Sequence, residues 1–175
     1  METSVVLEKF EELATYYIKE LQKYPLELFI KKPSDEEWSL GQMYNHLILS
    51  TFHMQIAAIE KCENKTATVG GDKTEAGEKI YAMGGFPPIQ IKVPAHPEYT
   101  PNNPTNKEDI KQGLLQLIEK TKEIEPKLSA ISSDYKVEHP RLGYLNAAEW
   151  FQLIYMHFQH HLRQKERLDL LHVNG

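Results

Sequence analysis

No stretch constrains this chain more than Asn146 to Leu168, NAAEWFQLIYMHFQHHLRQKERL. Turned through about 100° per residue, it reads as one amphipathic helix, with Trp150, Ile154, His157, His161 and Leu168 on a single narrow stripe. Two imidazoles therefore stand where a core-facing helix ordinarily carries Leu or Ile. His157 and His161 are one turn apart, so both rings point the same way, the spacing with which a helix offers two nitrogens to one metal ion. His160 lies about 60° from His157 and about 100° from His161 on the same wheel and reads as a flanking residue.

Histidine pairs at this spacing also occur on helix surfaces and as hydrogen-bonded core residues. A zinc-type site needs three or four ligands. The pair alone leaves these readings open, and the rest of the chain must supply the third ligand if there is one.

Composition narrows the alternatives. The chain has 175 residues, enough for a single domain (1–175) with a real core. Its 20 Lys and Arg are scattered among 25 acids, with no basic block, which argues against nucleic acid as a partner. Cys62 is the only cysteine, so there is no disulfide framework and a reducing compartment is expected. The N-terminus METSVVLEKFEELA carries acids and no uninterrupted apolar run, and no segment is long and apolar enough for a membrane span. A cytoplasmic protein is the expectation.

Four helices follow from the periodicity. Val6, Phe10, Leu13, Tyr17, Leu21 and Tyr24 mark the first, over residues 4–24. Ser39 opens the second, with Gln42 completing a capping box and Trp38 and Met43 placed for a hydrophobic staple. This helix runs to about Glu63, with an inner stripe of Met43, His46, Leu47, Ser50, His53, Met54 and Ala57. His46 is central to that stripe. Residues 64–105 read as a long loop with Gly70-Gly71, Gly84-Gly85 and six prolines, within which FPPIQIKV (86–93) suggests a short extended segment. Thr105 with Glu108 forms another capping-box pattern opening the third helix, whose inner face is Ile110, Leu114, Leu117, Ile118, Ile124 and Leu128; Pro126 ends or kinks it near Glu125. Residues 129–145 read as a turn-rich connection. Asn146 and Glu149 cap the fourth helix, Leu145 and Trp150 staple it, and Lys165, Glu166 and Arg167 begin a frayed polar end. The expected fold is an all-α four-helix bundle without a convincing sheet, with a long crossover that lets helices two and three run parallel.

WSLGQMYNHL in the second helix, HPRLGYLNAAEW before the fourth and HFQHHLRQ within it resemble the DinB-like family. These are small four-helix-bundle proteins related to damage-inducible proteins, metal-dependent hydrolases and thiol S-transferases, and unrelated to the DNA polymerase that shares the name. The resemblance covers nearly the whole chain. It implies an up-down-down-up helix order and a link to stress response. It also implies a ligand set of one histidine in helix two plus HxxxH in helix four: His46, His157 and His161. Three imidazoles leave at least one coordination position open for water or a substrate heteroatom. Zn or Ni is the expected divalent metal, although imidazole suits Fe and Cu as well. The implied activity is a transferase in which the metal activates a low-molecular-weight thiol, bacillithiol or mycothiol in kind, for attack on an electrophilic small-molecule substrate. The alternatives are metal-assisted hydrolysis of a small amide or ester, and a non-catalytic metal-binding bundle. Whether the chain forms a homodimer is left open.

Other residues are given lesser roles. His53, about 10.5 Å along the helix from His46, is too far to share the ion and is expected as a buried polar residue or pocket wall. Gln164 is placed to line the pocket, to hold a histidine's second nitrogen, or to face solvent. Glu149 is expected to be a cap only, and His96 and His139 structural or inert. Tyr44, Tyr155 and Cys62 show no catalytic spacing. Residues 86–101, with Phe86 and Ile89, are expected to cover the open side of the metal.

Overall fold

The computed structural model describes residues 1–89 and 100–173. It is predominantly helical, as expected for an all-α protein, with a small three-stranded sheet in addition. In chain order the elements are α1 (Thr3–Lys23), α2 (Leu26–Phe29), α3 (Leu40–Ser50), a π-helical turn (Thr51–Ile56), α4 (Ala57–Glu63), β1 (Thr68–Val69), α5 (Glu75–Met83), α6 (Lys107–Ile124), a 3-10 turn (Glu125–Ala130), β2 (Tyr135–His139), β3 (Gly143–Asn146) and α7 (Ala147–Val173). Among the described residues, no helix is long and apolar enough to cross a membrane.

The apolar stripes explain how the long helices meet. Val6, Phe10, Ala14, Tyr17 and Leu21 of α1 are buried against α6 and α7. Phe158 of α7 meets Phe10 and Tyr17 edge-on, with ring centroids 5.1 and 5.5 Å away, and Tyr17 meets Tyr44 of α3 at 5.2 Å. Edge-to-face packing sets the positive ring rim against the negative face of its neighbour. The buried phenols are satisfied by the backbone: Tyr17 Oη donates to the carbonyl of Phe158 and Tyr44 Oη to that of Tyr17, both at 2.9 Å. Each fully buried Leu, Ile or Phe contributes about 1.5–3 kcal/mol, so these stripes can hold the fold together without help from an ion.

Two sequence-read helix starts appear as expected. Ser39 accepts from the Gln42 amide nitrogen at 3.0 Å while the Gln42 side chain accepts from the Ser39 amide at 2.9 Å. Asn146 and Glu149 repeat the reciprocal pair at 3.0 and 2.9 Å. The third helix differs: Asn106, not Thr105, is its cap, its side-chain oxygen accepting from the Asp109 amide at 2.8 Å. Asn and Ser-type caps are nearly equivalent, so TNKED offered two overlapping starts.

The segment 64–105 is not simply a loop. It contains β1 and α5, whose cap Thr74 accepts from the Gly77 amide at 3.1 Å. Nor is 129–145 merely turns: β2 and β3 pair antiparallel, Val137 opposite Leu145 and His139 opposite Gly143, and β1 joins the far edge of β2. Gly143 has φ +80°, and a Cβ there would meet Asp72 O at 2.6 Å, so glycine is required where α5's approach crosses the hairpin. Trp150 Nε1 donates to Val137 O at 3.3 Å and ties α7 to this sheet. Half of the extended segment expected at 86–93 lies outside the described residues, and Phe86–Ile89 are irregular.

The end of α7 also departs from expectation. The helix continues to Val173, and Lys165 is fully buried. Its ammonium bonds Asp169 at 2.7 Å and Glu20 at 2.9 Å and lies 5.2 Å over the Tyr16 ring, locking α7 to α1. A charge can be buried there because it is paired and its remaining donors face aromatic rings.

Candidate metal centre

The caps fix the phases that bring the histidines together. Starting α3 at Leu40 points His46 towards α7, and starting α7 after Asn146 turns His157 and His161 back towards α3; the two helices are in contact. His46 Nε2 lies 3.0 Å from His157 Nε2, and His161 Nε2 lies 3.1 Å from the same atom. All three ligand atoms fall within 4.8 Å of one another, and each residue is partly buried. Nitrogens bound to one ion at about 2.0–2.1 Å stand roughly 2.9 to 3.3 Å apart, from right-angle to tetrahedral geometry. Both short contacts lie within that interval.

Hydrogen bonding alone accounts poorly for the arrangement. A neutral imidazole nitrogen is either a donor or an acceptor. His157 Nε2 faces two other Nε2 atoms, and its single proton or single lone pair serves one good bond, not two. A cation accepts all three lone pairs at once, so the donor set fits a divalent metal. His161 Nδ1 lies 2.7 Å from Gln164 Oε1. An amide oxygen only accepts, so Nδ1 carries the proton and Nε2 is left bare.

Burial keeps the rings neutral. It lowers the pKa of His46 to about 4 and that of His161 to about 3, with the nearby His46 adding to the second effect. His157 is pushed well below its ordinary value by burial first and then by repulsion from His161 and His46. At neutral pH the three nitrogens are lone-pair donors, the state a metal requires.

The surroundings are aromatic and uneven. Trp38 lies against His46 with ring centroids 5.0 Å apart. Phe86 lies 5.1 Å from the ring of His160, which is itself 5.4 Å from that of His161. The chain returning to α6 is tied beside His46, with Gln42 Nε2 donating to Pro101 O at 2.9 Å and Asn45 Nδ2 to Asn102 O at 3.0 Å. Both ends of the segment expected to cover the site thus lie near it, while residues 90–99 are outside the described residues and Ile89 is 60% exposed.

The remaining expectations divide. His160 stands outside the converging trio, as expected. His139 is structural: its Nδ1 accepts from the amides of Arg141 and Leu142 at 3.1 and 3.2 Å. Tyr44 and Cys62 are buried in the core. Glu149 does more than cap, because Lys73 Nζ reaches its Oε1 at 2.6 Å. His53 is not a pocket wall but exposed, and Met54 beside it is 37% exposed. In their place Gln55 is buried, with Nε2 3.4 Å from His157 Nδ1. Regular helical phasing hides Gln55. The adjacent Ser50 and Thr51 are the signal that points to it, since such hydroxyls bond back to carbonyls four residues earlier and disturb a helix.

A comparison with curated proteins finds no match to this chain. A family model does match, over residues 9–164, which runs from within α1 through the whole histidine cluster and Gln164. With nine-tenths of the sequence inside that match, the chain belongs to the DinB superfamily.

Proposed function

We propose that this protein is a metal-dependent enzyme in which His46, His157 and His161 hold one divalent transition ion, Zn or Ni, and that it transfers a low-molecular-weight thiol to an electrophilic small molecule. The observation that carries this is the convergence of three neutral Nε2 atoms at 3.0 and 3.1 Å. Among the described residues, no fourth His, Cys, Asp or Glu joins the group, so the ligand set is that of an open site and not a closed structural one. We assign the frame as an up-down-down-up four-helix bundle of α1, α3–α4, α6 and α7. This assignment is supported by the packing of α1 on α6 and α7 and of α3 on the same two helices.

Bound there, the ion supplies a Lewis-acid centre that lowers the pKa of a thiol held beside it. The chain's own residues do the rest. Gln164 keeps His161 in the tautomer that presents Nε2. Trp38 and Phe86 place apolar surface at the rim and exclude water, which strengthens local charge interactions. In the reaction a carbon–sulfur bond forms, the bond from that carbon to its leaving group breaks, and the thiol's proton departs with the leaving group or to solvent.

The test is elemental analysis of protein purified without chelator, followed by a screen of small thiols against an activated aryl halide or epoxide. The expected result is about one ion per chain and a thiol adduct whose formation is lost in His157→Ala. Hydrolysis of an ester or amide without an adduct assigns water as the nucleophile. Bound metal with neither reaction leaves a metal-binding bundle and refutes catalysis.

A further inference from the structure

The helical run from Leu40 to Glu63 is continuous in sequence but changes phase at Thr51–Ile56, where it widens into a π-turn. Ser50 Oγ bonds His46 O, and Thr51 Oγ1 bonds Leu47 O at 2.8 Å. Before the turn, Met43 and Leu47 are buried; within it Thr51, Gln55 and Ile56 are buried, and after it Ala58, Ile59 and Cys62. The wider turn adds one residue, so every later side chain is rotated by about one position. Met54, which unbroken phasing directs inward, is 37% exposed, and Gln55 is 1% exposed.

The π-turn thus delivers an amide to the back of His157. Gln55 Nε2 is 3.4 Å from His157 Nδ1, and Gln55 Oε1 is buried without a partner. The two ends of a glutamine amide have nearly the same shape, and the hydrogen-bond network decides which is which. If the NH2 group donates to Nδ1, the proton of His157 sits on Nε2, aimed at His46 and His161. That leaves His157 without a lone pair to offer at the convergence point. With the amide turned over, Oε1 accepts from Nδ1–H and Nε2 is bare. The same relation already holds between Gln164 and His161.

We infer that Gln55 is a positioning residue that accepts the Nδ1 proton of His157 and so fixes the tautomer in which His157 presents Nε2 to a cation. This rests on the metal-site reading of the three histidines. It pairs His157 and His161 each with its own glutamine, Gln164 from the same helix for His161 and Gln55 from the π-turn across the site for His157. His157, the central nitrogen of the three, depends on the turn for its orientation.

Nitrogen NMR of the metal-free protein with 15N-labelled histidine tests this without any metal. The expected spectrum shows His157 protonated on Nδ1 and bare on Nε2. In Gln55→Leu the proton shifts towards Nε2, and the Kd for Zn or Co measured by chelator competition rises about ten- to hundredfold. Gln55→Glu, which can only accept, keeps the wild-type tautomer and binds within a few-fold of wild type. Urea unfolding of each variant checks that the fold is retained. Protonation of His157 on Nε2 in the wild-type protein overturns the inference, as does unchanged affinity in a folded Gln55→Leu. If wild type shows Nδ1–H yet takes up no metal, the tautomer assignment stands and the metal reading falls.

Discussion

Acid should destabilise the metal-free protein well above the range in which carboxylates titrate. A histidine whose folded pKa lies below its unfolded value of about 6.5 binds a proton more readily when unfolded. Stability is then fully present above that value and declines as pH falls towards the folded pKa. At pH 5, His46 at about 4 and His161 at about 3 remain neutral in the folded chain. The unfolded side chains are by then mostly protonated, so each residue costs about 2 kcal/mol relative to pH 8. His157 adds a share of the same sign, and His139, lowered to about 4 but nearer to solvent, a smaller one. The loss from the two histidines alone is roughly 4 kcal/mol, a large part of the 5–15 kcal/mol that ordinary domains possess. Glu20 does not confuse the window. Burial raises its pKa, but hydrogen bonds from Lys23 and Lys165 outweigh this and leave it below 4.5. Urea unfolding in chelator at pH 8, 7, 6 and 5 reads the effect. In His46→Phe the acid-induced loss should shrink by about 2 kcal/mol. A stability flat to within about 1 kcal/mol over this range, or an unaltered loss in His46→Phe, would refute the reasoning.

His157→Ala and His161→Ala should each lose the metal while circular dichroism stays helical, because the apolar stripes carry the fold; complete unfolding of both would instead make the ion structural. Lys165→Met should cost on the order of 3 kcal/mol in urea unfolding, since Glu20 and Asp169 lose their shared partner. Adding Glu20→Gln should recover part of that cost. Phe86→Ser should leave metal content unchanged and alter selectivity among electrophiles, and turnover and selectivity unchanged from wild type with several substrates would show that the segment merely spans the bundle.

What could be read from the sequence follows what a regular period can encode. The four long helical runs came from apolar spacing, and two of the three capping boxes came from short-range chemistry that acts within four residues. The sheet did not emerge, because β2 and β3 are short and one residue of alternation more or less looks like a turn. Tyr135, Val137 and Leu145 with Gly143 between them did carry a hairpin pattern. Lys165 was misread for a different reason. Its charge suggests solvent, and only tertiary contact with α1 supplies the acids that make burial tolerable.

The site was legible in proportion to its distance from the π-turn. His46 lies before the turn, where phase is still regular, and the α7 pair lies on an unbroken helix, so all three could be placed on inner stripes. Past Thr51 the same rule chose His53 and Met54, both of which face outwards, and passed over Gln55. Thr51 is itself fully buried with its hydroxyl on Leu47 O. A threonine is accepted at a core position when that bond is available, and the price of a widened turn is offset by an amide set against the central histidine. A straight helix here would direct the thioether of Met54 inward, and a thioether accepts only weakly from an imidazole N–H. The irregularity that defeated the periodic reading is thus the feature that gives His157 a partner.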